Sequence, residues 1–169
     1  MLAIHESLDE AGLAHAFGGA LALAWCTQRA RGTIDIDVNV FVGADRAPDV
    51  LAALPDGVAW SDTDLEVIAR DGQQRLWWDT TPVDLFLNTT EFHERASTRA
   101  RWELFDGVEL PFLSCTDLAV FKAFFNRTKD WADLEEMRAA DTLDVDRLIG
   151  VLVRYLGAND ERIERLRTL

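Results

Sequence analysis

Two aspartates, Asp35 and Asp37, stand two residues apart in a stretch of alternating polar and apolar residues from Thr33 to Val42. Side chains of a β-strand point alternately to its two faces, so both carboxylates would share one face. The apolar residues would share the other face: Ile34, Ile36, Val38, Val40 and Val42. Two carboxylates about 7 Å apart on a rigid strand can bind two divalent cations separated by about 4 Å. The alternative is an amphipathic strand with a hydrated polar face, although aspartate is depleted in strands.

A glycine pair, Gly18 and Gly19, lies between a short predicted strand, 15–17, and a helix predicted to begin near Ala20. Glycine at the start of a helix exposes backbone N–H groups, and such groups bind phosphate oxygens. An ordinary strand-to-helix turn could have the same sequence. The turn and the two carboxylates together favour a site for phosphate and metal more than either feature does alone.

A third aspartate, Asp84, lies in another predicted strand, 82–88. The apolar face of that strand consists of Val83, Leu85 and Leu87. Asp84 points away from it, as Asp35 and Asp37 do on their own strand. If the two strands are neighbours, three carboxylates cluster and need cations to offset their repulsion. Carboxylate oxygens favour Mg²⁺ or Mn²⁺ over zinc. The alternative is that Asp84 is a surface residue of an edge strand.

Several cations could complement such a site. Lys122 interrupts the apolar helical sequence LAVFKAFF, where a lysine either extends to solvent or meets an anion. The charged run 127–133 has the alternative of a solvated helix start. Arg29 and Arg31 precede the aspartate strand in a turn that is either solvated or helps to hold a triphosphate or an acceptor.

Composition limits the class of protein. With 169 residues, of which 49% are hydrophobic and 28% charged, the chain is typical of one soluble globular domain. Its formal net charge of −13 argues against broad, non-specific binding of nucleic acid. No apolar run could span a membrane, and the acidic N-terminus lacks the basic region of a signal peptide. Cys26 and Cys115 are few and show no pairing in their spacing, which predicts a reducing cytoplasm. Three scattered histidines, without ligand spacing, are predicted to be structural: His5, His15 and His93.

The periodicity predicts an α+β fold, with a small mixed or antiparallel twisted sheet, flanking helices and a helical C-terminal segment. Residues 1–113 would form the α/β core, and residues 114–169 would pack on it as helices to give one compact unit. The predicted strands are 15–17, 33–42, 64–70, 73–78, 82–88, 102–105 and 108–112, with Asp71-Gly72 as a hairpin turn. The predicted helices are 2–12, 20–29, 45–54, 90–98, 129–140, 145–156 and 160–169, with a further one capped by Ser114.

The sequences GGALALAW, RGTIDIDVNVF, TPVDLFL and DLAVFKAFFNRTKDWADL together resemble the DNA polymerase β-type nucleotidyltransferase superfamily. Within it, the chain looks most like the AbiEii-type bacterial nucleotidyltransferases, many of which are toxins of toxin–antitoxin pairs. The likeness extends from Phe17 to Leu134. It implies the nucleotidyltransferase fold and a metal-dependent enzyme. Such an enzyme moves a nucleoside monophosphate from a nucleoside triphosphate to an acceptor hydroxyl on RNA (such as tRNA) or protein, and releases pyrophosphate.

The resemblance implies a role for each matching residue. Gly18 and Gly19 match the turn that holds the triphosphate. The residues that match the metal-binding carboxylates are Asp35, Asp37 and Asp84, and the last can also help to deprotonate the acceptor hydroxyl. Lys122 matches a lysine directed at the nucleotide phosphates, and Asp130 an acidic residue that supports the site. Both Asp130 and Arg127 of this motif are predicted to belong to the nucleotide-binding residues, whereas Lys129 and Asp133 have less defined roles.

Two features depart from the family pattern. Ala20 follows the glycines where many members have serine or threonine, and the chain is short for an AbiEii-type toxin. Both features leave open the identity of the acceptor and the existence of an antitoxin partner. One rival hypothesis is a small-molecule enzyme of the aminoglycoside nucleotidyltransferase type, because an acidic surface suits a cationic drug. Another is a catalytically inactive nucleotide-binding or regulatory module, against which the three intact aspartates count.

Overall fold

The computed structural model describes the whole chain, residues 1–169. The helices are α1 (Leu2–Glu10), α2 (Gly19–Thr27), α3 (Ala47–Ala52), α4 (Asp62–Asp71), α5 (Glu91–Ala96), α6 (Cys115–Phe125), α7 (Thr128–Ala139), α8 (Val145–Leu156) and α9 (Glu161–Leu166). The strands are β1 (His15–Phe17), β2 (Ile36–Gly43), β3 (Val58–Ala59), β4 (Gln73–Trp78), β5 (Thr81–Asn88), β6 (Arg101–Phe105) and β7 (Val108–Phe112). None of these helices has the length and apolar character needed to cross a bilayer.

The seven strands form one mixed sheet in the order β3-β4-β5-β2-β1-β7-β6. Parallel pairing joins β2 to β5 and β1 to β7, whereas the other neighbours pair antiparallel. The predicted α+β class with a mixed sheet is therefore confirmed. The strand pair around Asp106-Gly107 is also confirmed, as β6 and β7. The short edge strand β3 was not predicted, because two residues carry no readable period.

The chain divides into two compact units. One contains residues 1–21 and 32–113, which include the complete sheet. The other contains residues 22–31 and 114–169, which include α6 to α9 and most of α2. Because the chain leaves the sheet unit in the middle of α2 and returns at Gly32, the second unit is made from two separate segments.

The strand that carries the aspartate pair is shorter than predicted. It begins at Ile36, so Asp35 lies in the loop before β2 and only Asp37 lies within the strand. Ile34 was expected on the apolar face but is 82% exposed, because the chain has not yet joined the sheet there. From Ile36 onward the alternation holds, and Val38 and Val40 are fully buried.

The predicted strand 64–70 is wrong, because these residues belong to α4. Ser61 and Asp64 form a reciprocal capping box at the start of this helix, in which each side chain accepts a hydrogen bond from the other residue's backbone N–H. Gly72 ends the helix with a left-handed φ of 69°, so Asp71-Gly72 is a helix C-cap and not a hairpin turn. The alternating apolar residues resembled a strand, but the capping sequence decides for a helix.

Alternation in the central strands produces the core of the sheet unit. The side chains on one face of β2, β4 and β5 are almost completely buried: Val38, Val40, Leu76, Val83, Leu85 and Leu87. Burial of each such side chain contributes roughly 1.5–3 kcal/mol. This apolar face fixes the register of the strands and thereby directs the polar residues between them to the opposite face.

The helical unit contains a disulfide between Cys26 on α2 and Cys115, the first residue of α6, with their Cα atoms 5.6 Å apart. The interpretation that these two cysteines do not pair is wrong, because they are bonded to each other although 89 residues separate them in the sequence. The cytoplasmic location depended in part on it and stays a prediction.

Two of the three histidines are buried in the sheet unit. Nε2 of His93 on α5 lies within hydrogen-bond distance, 3.1 Å, of the Asn39 side-chain amide on β2. Burial lowers the pKa of His93 to about 4, although a hydrogen bond to the backbone of Leu87 opposes this shift. Burial also lowers the pKa of His15, whose Nδ1 lies 2.8 Å from the carbonyl oxygen of Leu13. Both side chains are therefore neutral in the folded protein at neutral pH.

Acid should destabilise the protein through these histidines. Unfolded His93 binds a proton below about pH 6.5, whereas the folded protein resists protonation until about pH 4. Stability is therefore fully present above pH 6.5 and is lost as the pH falls. We expect His93 alone to lower the free energy of unfolding by about 2 kcal/mol between pH 7.5 and 5. Urea unfolding at both pH values would measure this loss, and His93→Gln should reduce it. Equal losses in the two proteins would contradict the prediction.

Candidate active site

Three charged side chains stand in a row across neighbouring strands of the sheet. Asp37 on β2 is the register partner of Asp84 on the parallel strand β5. Asp84 is in turn the register partner of Arg75 on the antiparallel strand β4. Register partners project from the same face of a sheet, so all three side chains lie on the face opposite the apolar core. The predicted adjacency and facing of Asp37 and Asp84 are thus observed.

Arg75 forms a two-pronged ion pair with Asp84. Its Nε and Nη2 donate hydrogen bonds to Oδ1 and Oδ2 of the carboxylate, each at 2.7 Å. The same Nη2 lies 3.7 Å from Oδ2 of Asp35. The hydrogen bonds and charge of Asp84, followed by the charges of Asp35 and Asp37, raise the pKa of the Arg75 guanidinium above its already high value. One cation thus serves all three carboxylates.

Asp35 reaches this cation from the loop before β2. The hydroxyl of Thr33 donates a short hydrogen bond to Oδ1 of Asp35, which orients the carboxylate. Its other oxygen, Oδ2, faces Arg75. Oxygens of Asp35 and Asp84 lie 3.7 Å and 2.7 Å from one nitrogen, so they are no further apart than the sum of these distances. The two carboxylates therefore converge on one point.

The glycine turn touches the same cluster. The N–H of Gly18 donates a hydrogen bond to the backbone oxygen of Asp37 at 2.9 Å. Gly19, the first residue of α2, has a left-handed φ of 56°, and a Cβ added there would lie 1.8 Å from Oδ2 of Asp37. Only glycine allows the carboxylate to pack so closely against the turn. The start of α2 and the strand carboxylate therefore form one contiguous site.

The positions of the three carboxylates bear on whether a divalent cation could bind here. No group of three acidic, histidine or cysteine side chains stands ready to hold a metal ion together. Oxygens of Asp35 and Asp84 nevertheless converge on a cationic nitrogen, with Asp37 beside Asp84 in the strand register. Carboxylate oxygens are ligands that suit a hard divalent ion, and the predicted ligands are Asp35, Asp37 and Asp84.

An open cleft of about 420 Å³ adjoins Asp35. It is lined by residues that include Asp35, Thr33 and Leu21 in the first turn of α2. Thr80 and Thr81, at the start of β5, line it as well. Its volume lies in the range of sites for small molecules.

The helical unit holds a second charge cluster, around Asp133 on α7. Lys122 on α6 donates a hydrogen bond from Nζ to Oδ2 of Asp133 at 2.6 Å, and both side chains are buried. Arg31 forms a short hydrogen bond to the other carboxylate oxygen and is 44% exposed. Of the two alternatives for Lys122, the structure therefore favours an anionic partner over solvent, and that partner is Asp133.

Asp130, predicted to support the site, acts at the start of α7. Its Oδ2 accepts hydrogen bonds from the backbone N–H and the Nε of Arg127, at 3.1 Å and 2.7 Å. It thereby caps the helix and holds the arginine beside it. The predicted roles of Asp130 and Arg127 in nucleotide binding stay predictions.

Arg75 is the site residue that sequence reasoning missed. The predicted strand 73–78 places Arg75 and Leu76 on opposite faces, and Leu76 belongs to the core. This alternation alone places the side chain of Arg75 on the polar face of its strand. The alternation in the predicted strand 82–88 places the side chain of Asp84 in the same way. The pairing of the two strands was the missing information, because no hairpin signal was recognised at the turn between them, residues 79–80.

The close approach of Gly19 to Asp37 predicts a specific loss of stability. Gly12→Ala should cost about 1–2 kcal/mol, because Gly12 has a left-handed φ of 66° but nothing within 4 Å of an added Cβ. Gly19→Ala should cost about 1–3 kcal/mol more, since Asp37 must move. Urea denaturation measures both values. Adding Asp37→Ala should recover stability only in the Gly19→Ala protein, and equal costs for the two glycines would contradict the clash.

Asp133 should be critical to the stability of the helical unit. Asp133→Asn leaves the buried Lys122 without its counterion and should cost about 3 kcal/mol of unfolding free energy. Asp49→Asn is a matched control, because its partner Arg46 is exposed and the change should cost less than about 1 kcal/mol. Denaturant titrations compare the two variants. Similar small costs would show that Lys122 does not depend on Asp133.

Comparison with known proteins shows similarity in structure. No protein-family model and no curated protein matches the sequence. The antibiotic-resistance factor ANT(2'')-Ia matches with a TM-score of 0.56 and 17% identity, over 99% of this chain and 86% of that one. The lincomycin-bound lincosamide antibiotic adenylyltransferase LnuA matches with 0.52 and 12%, over 80% and 92%. A nucleotidyltransferase-like protein from Paracoccidioides brasiliensis matches with 0.52 and 13%, over 95% and 88%. The chain has the nucleotidyltransferase fold.

Proposed function

We propose that this protein is a metal-dependent nucleotidyltransferase. It would move a nucleoside monophosphate from a nucleoside triphosphate to an acceptor hydroxyl and release pyrophosphate. The observation that carries the proposal is the contact between the glycine turn and the carboxylates: Gly19 lies against Asp37, which pairs in register with Asp84. This contact would bring a phosphate-binding backbone together with ligands for a divalent cation.

The chain's own residues have distinct tasks in this reaction. Gly18 would shape the triphosphate-binding turn, because its own N–H is bonded to the backbone oxygen of Asp37. Backbone N–H groups of Gly19 and the first turn of α2 would bind the triphosphate, helped by the positive end of the helix dipole. Asp35, Asp37 and Asp84 would hold Mg²⁺ or Mn²⁺. Bound there, the ions would polarise the reacting phosphate and lower the pKa of the attacking hydroxyl.

Bond changes follow from this placement. The acceptor oxygen forms a bond to the α-phosphorus, and the bond from that phosphorus to the bridging oxygen of pyrophosphate breaks. The carboxylate of Asp84 would accept the proton of the acceptor hydroxyl. The resemblance assigns Lys122 to the nucleotide phosphates, whose negative charge it would offset. Within the helical unit, Asp133 binds both Lys122 and Arg31. Arg127 and Asp130 would complete the nucleotide-binding residues.

The acceptor defines two versions of the proposal. The resemblance to AbiEii-type enzymes implies RNA or protein as the acceptor, a toxin role and an antitoxin partner. The net charge of −13 and the cleft of about 420 Å³ beside Asp35 instead favour a small cationic acceptor. Solved structures with the same fold include ANT(2'')-Ia in complex with adenylyl-2''-tobramycin. An amino sugar with a reactive hydroxyl is therefore the first small acceptor to test.

Asp37→Asn tests the chemistry. The change keeps the shape of the side chain but removes a charge, so transfer should fall by about a thousandfold or more while the fold survives. Asp79→Asn is the control, because Asp79 is exposed in the turn between β4 and β5 and asparagine tolerates its φ of 52°. Pyrophosphate release with each nucleoside triphosphate and Mg²⁺ measures the rate, and circular dichroism checks the fold.

The same assay separates the acceptors. Mass spectrometry would detect the added nucleotide on aminoglycosides and lincosamides, on tRNA, or on the protein itself. Addition to an amino sugar would support the small-molecule version, and addition to tRNA the RNA version. Normal turnover by Asp37→Asn, or wild-type turnover unaffected by a chelator, would contradict the metal-dependent mechanism.

A further inference from the structure

We propose that Arg75 is the resident counter-cation of the carboxylate site, and that it must leave Asp84 before a divalent cation binds there. Arg75 is thus a positioning residue that sets the metal affinity of the protein. The inference rests on the proposed function only in taking a divalent cation as the incoming ligand. It concerns a residue outside the predicted ligands, on the neighbouring strand β4.

The ion pair occupies both oxygens of Asp84. Nε meets Oδ1 and Nη2 meets Oδ2, each at 2.7 Å, so the guanidinium covers one edge of the carboxylate completely. That edge is the one directed at Asp35, because Nη2 also lies 3.7 Å from its Oδ2. A cation shared by Asp35 and Asp84 would need the space that this nitrogen fills.

Charge leads to the same conclusion. Three carboxylates in one place repel one another, and Arg75 supplies the positive charge that offsets part of this repulsion. A divalent cation held by the same oxygens would lie within a few ångströms of the guanidinium, and the two positive groups would repel each other strongly. The site therefore holds either the guanidinium or the metal at this point.

Arg75 is able to move without disturbing the sheet. Its side chain is 50% exposed, whereas that of Asp84 is only 16% exposed. Because half of the Arg75 side chain already contacts solvent, the guanidinium can turn outward and be hydrated while the strand backbone stays in place. Asp84 and the strand backbone stay in place, because β5 pairs with β2 on one side and β4 on the other. The arginine keeps the carboxylates ordered until a metal replaces it.

Metal binding to an arginine variant tests this exchange. Arg75→Gln removes the competing charge, and we expect it to bind Mn²⁺ at least tenfold more tightly than the wild type in calorimetry. Arg70→Gln is the matched control, because Arg70 makes a similar two-pronged pair with the neighbouring Asp71 at 2.8 Å and 2.6 Å. Its removal costs the same charge but should change Mn²⁺ affinity by less than about threefold, since both partners are solvent-exposed and screened.

Unfolding temperature gives a second readout. Without metal, Arg75→Gln should unfold at a lower temperature than the wild type, because its carboxylates repel one another. Saturating Mn²⁺ should raise its unfolding temperature by more than that of the wild type, since it binds only the folded site. Arg75→Lys keeps the charge without the two-pronged geometry, and its Mn²⁺ affinity should lie between those of wild type and Arg75→Gln. It provides the comparison if Arg75→Gln does not fold without metal.

The outcomes distinguish this inference from the proposed function. Mn²⁺ affinity of Arg75→Gln equal to or weaker than that of the wild type would overturn the exchange, even if the wild type transfers nucleotides. If Arg75→Gln does not fold, wild-type affinity in Arg75→Lys would overturn it too. Tighter binding in Arg75→Gln without nucleotide transfer by any variant would support the exchange and contradict the function. Asp37→Asn should weaken Mn²⁺ binding in both the wild-type and the Arg75→Gln backgrounds.

Discussion

Parallel pairing of β2 with β5 is the constraint on which the candidate site depends. Its register sets Asp37 opposite Asp84, and the apolar rows of both strands hold that register because they form the buried core. A slip of one residue would turn every side chain of a strand to the other face. It would bury Asp84 among leucines and valines and expose the core. The packing energy of the apolar face thus holds together carboxylates that repel one another.

In each of the two charge clusters, one charged group is shared by groups of the opposite charge, and the signs are reversed between the clusters. In the sheet unit, one cation, Arg75, serves the carboxylates of Asp84 and Asp35. In the helical unit, one anion, Asp133, serves the cations Lys122 and Arg31. Each cluster combines a buried member held by its surroundings with an arginine that is half exposed. Such an arginine can change partners at low cost, whereas the buried member cannot.

Much of the fold could be predicted from the sequence where the period was long and unambiguous. The strands 73–78 and 82–88 and the helix capped by Ser114 have nearly the predicted bounds. Residues 64–70 do not form the predicted strand, because an apolar alternation of seven residues also fits a short amphipathic helix. Only the capping box distinguishes the helix from a strand here. The Cys26–Cys115 pair and the Asp133 cluster depend on contacts between distant segments, which no local pattern contains. Asp84 could be placed by facing, but its binding to Arg75 required the strand order.

Gly19 shows that a residue predicted to bind phosphate can also be required for a separate physical reason. From the sequence, the glycine pair indicated a turn that binds phosphate. In the structure, Gly19 is required by its left-handed φ of 56° and by the carboxylate of Asp37, which occupies the position of a Cβ. A glycine at this position would therefore be needed even without a phosphate ligand. Phosphate binding is favoured by the combination of the glycine turn and the acidic strand. No side chain lies between the helix N-terminus and that strand, so one ligand could contact both.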